Sequence, residues 1–77
     1  MANGSYSAAA AVVPSDTAAQ RFLGIYVGGA GNVAVEPRDS IGTTFVFTAV
    51  PVGTILPVAT ARVLATGTTA TLLIGLT

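Results

Sequence analysis

Residues 43–59, TTFVFTAVPVGTILPVA, decide the fold. Thr43 to Val50 alternates β-branched and aromatic residues without a charge, which is the signature of a strand rather than a helix. Phe45, Phe47 and Ala49 fall on one face of that strand, and Thr44, Val46, Thr48 and Val50 on the other. Pro51, Val52 and Gly53 then form a turn, and Thr54 to Val58 resumes as a strand in which Pro57 marks an edge or a bend. Both faces of the first strand are apolar enough to be covered. In a chain with room for one core, the second covered face predicts a contact with another subunit.

Working outward, the same texture extends in both directions. Phe22 to Val27 reads as a strand, Gly28 to Asn32 as a tight loop, and Val33 to Glu36 as a second strand that stops at Pro37, together a hairpin with a glycine-rich tip. Arg38 to Gly42 is a turn. Ala59 to Ala65 and Thr71 to Leu76 read as the last strands, joined through Thr66, Gly67, Thr68 and Thr69. About six short strands with regular turns predict an all-β chain, a small antiparallel β-barrel or sandwich. Residues 1–21 differ: they are rich in Ala and Ser, broken by Pro14 and without alternation, and read as an extended N-terminal arm preceding a β domain of residues 22–77. Thr17 and Gln20 have capping-box spacing, which allows one helical turn between Ser15 and Arg21.

Composition says how such a domain is stabilised. Of the 77 residues, 52% are hydrophobic and only 8% charged, whereas a solvated surface carries roughly 25–35% charged residues. A chain this short buries about 60% of its unfolded surface. Small domains draw on disulfides, metals or oligomerisation, and the absence of Cys and His removes disulfides and the commonest zinc ligands. Oligomerisation remains, so a homo-oligomer is expected. Three basic residues balance three acidic ones, which argues against a nucleic-acid surface. The uncharged run from Ser40 to Ala61 has the length of a membrane span, but Gly42, Pro51, Gly53 and Pro57 would leave backbone groups unpaired in lipid, so no membrane segment is expected. No basic n-region precedes the short apolar stretch Ala8 to Val13, so no cleaved export signal is expected.

No motif supports catalysis. Gly29, Gly31 and Ala34 match G-x-G-x-x-G/A, yet that pattern needs a helix at the second glycine, and Val33 to Glu36 alternates as a strand. Glu36 and Asp39 flank Arg38 and read as a solvated turn with a local ion pair rather than as an acid–base pair. Ser and Thr hydroxyls have no His or Lys to activate them. The chain is therefore read as a non-enzyme with no cofactor and no metal. Arg62, the only charge after Asp39, is expected to face solvent or to pair with an acidic residue such as Asp16, Asp39 or Glu36 of a neighbour. Asn3, Gly4 and Ser5 form a sequon that reads as chance. Candidate interface residues are Phe45, Val46, Phe47, Val50, Arg62, Leu72 and Ile74.

The run VPVGTILPVATARVLATGTTAT, residues 50–71, resembles the signature of the spike base protein family of alphaproteobacterial gene transfer agents and related tailed phages. The matching positions are Pro51, Gly53, Leu56, Pro57, Val58, Arg62, Val63, Thr66, Gly67, Thr68, Thr69 and Ala70. Upstream, IYVGGAGNVAV (25–35) and TTFVFTAV (43–50) resemble the opening hairpin and third strand of that family. The resemblance spans residues 22–74 and rests on turn residues. It implies a virion protein, made in the bacterial cytoplasm, that forms a homo-oligomeric ring on the capsid exterior at the vertices and anchors a head-fibre protein. A pentamer is expected, with a trimer as the alternative. A capsid decoration or cement protein and a tail-fibre or baseplate module are the competing structural readings. A carbohydrate-binding module is the reading from another class, disfavoured by the lack of Trp.

Overall fold

The computed structural model describes residues 6–77; the Asn3 sequon lies outside the described residues. Among them run seven strands: β1 (Ala9–Ala11), β2 (Gly24–Gly29), β3 (Gly31–Pro37), β4 (Phe45–Val50), β5 (Ile55–Leu56), β6 (Thr60–Val63) and β7 (Thr71–Leu76). They form two sheets, one ordered β1-β7-β2-β5 and the other β4-β3-β6. Every pairing is antiparallel. The expected all-β sandwich is the fold observed, with one strand more than the sequence suggested. No helix among the described residues is long and apolar enough to cross a membrane.

The alternation read from the sequence builds the core. Ile25 and Val27 of β2, Val33 and Val35 of β3 and Val63 of β6 are wholly buried, and Leu73, Val12, Val50 and Ala70 complete the cluster. Each large aliphatic side chain so buried contributes about 1.5–3 kcal/mol. β3 is central to its sheet and covered on both faces, because Ala34 and Glu36 are buried on the side opposite Val33 and Val35. Pro37 ends β3 as expected, having no N–H to continue the ladder.

The expected hairpin at Gly28 to Asn32 is not formed. β2 pairs with β7 and β5, while β3 pairs with β4 and β6, so the chain crosses from one sheet to the other at Ala30. The glycines serve a close approach of backbones at this corner. A Cβ on Gly31 would stand 2.6 Å from the Ala70 nitrogen and 2.8 Å from its Cα. The dinucleotide-like GAGNVA pattern is thus the corner of a sandwich.

The segment read as an arm packs along its own domain from residue 7 to residue 22. β1 adds to the edge of β7, with Ala10 opposite Gly75, and Val12 enters the core. Ser15 N–H donates to Val63 O (2.9 Å), Gln20 N–H to Ala61 O (2.8 Å) and Thr60 N–H to Phe22 O (2.9 Å), so residues 15–22 line the outer edge of β6. No helical turn forms there; Ser15 Oγ instead accepts the N–H of Thr17 and of Ala18.

Threonines finish the other side of the β3 ladder. Thr69 Oγ1 accepts Asn32 N–H (2.9 Å), and Thr68 Oγ1 accepts Ala34 N–H (2.9 Å) while donating to Leu64 O (2.6 Å). These hydroxyls replace the backbone groups of a strand where the chain turns through Gly67 at φ +95°. The TGTTA run of the signature is therefore an edge seal for the central strand.

Candidate functional site

β4 is where apolar sequence and exposure coincide. Phe45, Val46 and Phe47 are 48%, 46% and 36% exposed although they form a regular strand. Phe45 opposes Val35 and Phe47 opposes Val33, and directly opposed residues of an antiparallel pair project from the same face. The two rings therefore lie on the core side of the sheet, at its open edge, and the sandwich is laterally unfinished there. Val46 opposes Ala34 on the outer face, where Gly67 packs nearby.

The strand is held in this position from both ends. At its start, buried Glu36 accepts the Gly42 N–H on Oε2 at 2.7 Å. Arg62 Nε lies 3.1 Å from Glu36 Oε1, an ion-pair contact whose geometry is not a hydrogen bond. At its end, Ala49 adopts φ +54° in a bulge opposite Asn32, whose Oδ1 accepts the Ala49 N–H at 3.0 Å. The extra residue bends the strand and increases its twist. Val50, a candidate interface residue in the sequence, turns inward past this bulge and lies in the core.

The other candidates are dispersed. Arg62 sits on β6, separated from β4 by β3. It pairs with Glu36 of its own chain, directly opposite in the register, and its Nη1 donates to Asp16 O at 3.1 Å. The Glu36–Arg38–Asp39 stretch is accordingly not the solvated ion-pair turn expected: Glu36 is buried, and Arg38 turns away to donate from Nε to Thr60 O at 3.2 Å. Leu72 and Ile74 belong to β7 in the other sheet; Leu72 is 75% exposed, and Ile74 is half-buried between Ala11 and Tyr26. Among the candidates, only Phe45, Val46 and Phe47 are exposed neighbours on one strand, the two rings on its core side and Val46 on its outer face.

Sequence reading missed a polar clasp that holds residues 15–22 in place. Asp16 Oδ1 accepts Thr66 N–H (2.9 Å) and Oδ2 accepts the Thr66 hydroxyl (2.6 Å). The bond from the Thr66 hydroxyl, seconded by that from its N–H, holds the Asp16 carboxyl below its ordinary value of 3.8. Thr60 Oγ1 donates to Gln20 O (2.6 Å) and accepts Phe22 N–H (3.1 Å), wholly buried. The partners lie about forty to fifty residues apart, beyond any local motif.

No protein-family model matches the chain, and no curated protein matches it significantly. Among solved structures, a chain from the capsid of a native GTA particle, computed with C5 symmetry, superposes with a TM-score of 0.81 at 33% sequence identity. The match covers 95% of this chain and 84% of that one. Such identity, carried through both sheets, joins the two proteins by sequence as well as by fold: the chain belongs to the family of this GTA capsid chain.

Proposed function

We propose that the chain is a structural component of a phage-like particle, the spike base, which forms a homo-oligomeric ring on the capsid exterior at the vertices and anchors a head-fibre protein. The observation that carries the capsid role is the likeness to the GTA capsid chain over 95% of the sequence. The resemblance of residues 22–74 to the spike base signature selects this part of the particle. A ring needs a contact surface on each copy, and the exposed apolar strand β4 supplies one. A pentameric ring matches a five-fold vertex. The role is non-enzymatic and needs no cofactor or metal.

The absolute mass of the purified protein, by light scattering or native mass spectrometry, tests this. A discrete species of about five subunits supports the ring; a trimer moves the assignment to a fibre or tail module, and a monomer refutes self-assembly. Val46→Asp is expected to give a folded chain that forms no ring, and normal rings in that variant would remove β4 from the contact. Labelled protein added to particles lacking it is expected at the vertices. Labelling over the whole shell would favour a decoration protein instead.

A further inference from the structure

The ring reading leaves open how one copy meets the next, and the sheet edges narrow the choice. Two sheets have four outer edges, formed by β1, β5, β4 and β6. Residues 15–22 already occupy the β6 edge. β5 has two residues, its Leu56 carbonyl accepts Val58 N–H, and Pro57 offers no donor. Edges shortened and interrupted by proline resist further pairing. β4 and β1 remain.

Both remaining edges have backbone groups free to pair. Ala34, opposite Val46, sends its N–H to Thr68 Oγ1 and takes the Leu64 N–H on its oxygen, both away from β4. Ala34 and Val46 are thus a non-hydrogen-bonded pair, and the N–H and C=O of Val46 point outward. On β1, Ala8 exchanges both backbone bonds with Thr77, and Val12 N–H donates to Leu73 O. By alternation Ala9 and Ala11 point their backbone groups outward. Among the described residues nothing pairs with either edge. Neither carries a charge or a proline, the usual guards against edge pairing.

The two edges are also unlike in a complementary way. β4 presents Phe45, Val46 and Phe47, whereas β1 is three exposed alanines. Small side chains on one strand leave room for bulky ones on the other. A contact between different patches of identical chains is head-to-tail, and such contacts close into rings. We infer that β4 of each copy pairs with β1 of the next copy, so that the three-stranded sheet of one subunit continues into the four-stranded sheet of its neighbour. Phe45 and Phe47, half-covered in one chain, are then roofed by the neighbour. This inference rests on the ring reading and adds the edges that form it.

The chain has no cysteine, so cross-linking can be read cleanly. Four variants are prepared: Val46→Cys, Ala11→Cys, and the doubles Val46→Cys/Ala11→Cys and Val46→Cys/Ala9→Cys, which cover two registers. A short thiol-to-thiol cross-linker is applied at a native mass measured in parallel. The expected result is a ladder of covalent oligomers up to the full ring from a double variant, and only monomers from each single one. Dimers from Val46→Cys alone would mean β4 meets β4 and would overturn the pairing. No ladder from either double at an intact ring mass would also overturn it, while sparing the ring; a monomeric native mass would overturn both. Val46→Pro gives a second readout, since it removes an outward N–H without touching the β3 ladder. It is expected to be folded by circular dichroism and at least tenfold depleted in rings, and undiminished rings would refute the edge pairing.

Discussion

Thr60→Val replaces a buried hydroxyl by a methyl of the same shape, and it isolates what holds residues 20–22 to the domain. Thr60 Oγ1 donates to Gln20 O at 2.6 Å and accepts Phe22 N–H at 3.1 Å, at a site with no exposure. Valine leaves both backbone groups without that partner, and each buried orphan costs about 1–3 kcal/mol. Because both depend on one hydroxyl, and Gln20 keeps the bond from its N–H to Ala61 O, the expected loss is about 2–4 kcal/mol. A domain of this length has roughly 4–12 kcal/mol in total, so the variant sits near the limit of folding. At about 4–8 °C per kcal/mol for a domain of this size, its midpoint falls by about 8–32 °C. Urea unfolding followed by circular dichroism should be run at one protein concentration, because any self-association couples to folding. Thr60→Ser, which keeps the hydroxyl and loses one methyl, is expected to cost about 1 kcal/mol. A Thr60→Val protein within about 0.5 kcal/mol of the parent, or one more stable than Thr60→Ser, would show that the methyl and not the hydroxyl holds the site.

Further consequences follow from the same contacts. Asp16 has its folded value lowered by Thr66, so its contribution is present in full above about pH 4, the range of the unfolded carboxyl, and is lost as pH falls through the lower folded value. Asp16→Asn is therefore expected to be less stable than the parent at neutral pH, with the two acid-unfolding curves converging below pH 3.8; a constant gap down to the lowest pH would refute the assignment. Gly75→Ala would place a methyl in the Phe22 ring, and displacing the ring or β7 is expected to cost about 1–3 kcal/mol, checked by thermal unfolding.

The strands were legible in the sequence because their faces differ, and their partners were not. Ile25, Val27, Val33 and Val35 announced two strands, although β3 proved covered on both faces. Alternation says nothing of which strand lies alongside, so the glycines between β2 and β3 suggested a hairpin where the chain changes sheets. β1 was illegible for another reason: three exposed alanines show no pattern, and their pairing with β7 is made by backbone atoms that every residue has. One face of β4 was expected in the core and the other at a subunit contact, whereas Phe45 and Phe47 on one face and Val46 on the other are all exposed, because β4 is an edge strand. Val50 broke that reading because the bulge at Ala49 turns the next side chain to the core. The partners of Glu36 and Arg62 are set by register between β3 and β6, which a single strand does not reveal.

Leu72 points to a surface that β4 and β1 leave unexplained. It lies on β7 with φ +54°, a backbone region that costs a residue other than glycine about 1–2 kcal/mol. The strand beside it accommodates this only through Gly28, where a Cβ would stand 2.6 Å from Leu72 O and 2.8 Å from Leu72 Cβ. Since the residue is 75% exposed, its burial returns about 0.4–0.75 kcal/mol, less than the strain. Folding alone therefore gains nothing from leucine here, whereas a partner that covers it would. Strained residues held at contact sites have this character. We predict that Leu72→Gly is as stable as the parent or more stable by up to about 1 kcal/mol, the relieved strain being partly offset by the added freedom of the unfolded chain. The same variant should form rings normally yet fail to co-sediment with capsids lacking the native protein. Destabilisation by more than about 1 kcal/mol would show that Leu72 serves the fold, and full co-sedimentation would remove it from the capsid contact. Strain without compensating burial, in a strand outside the proposed ring contact, is what a second interface predicts.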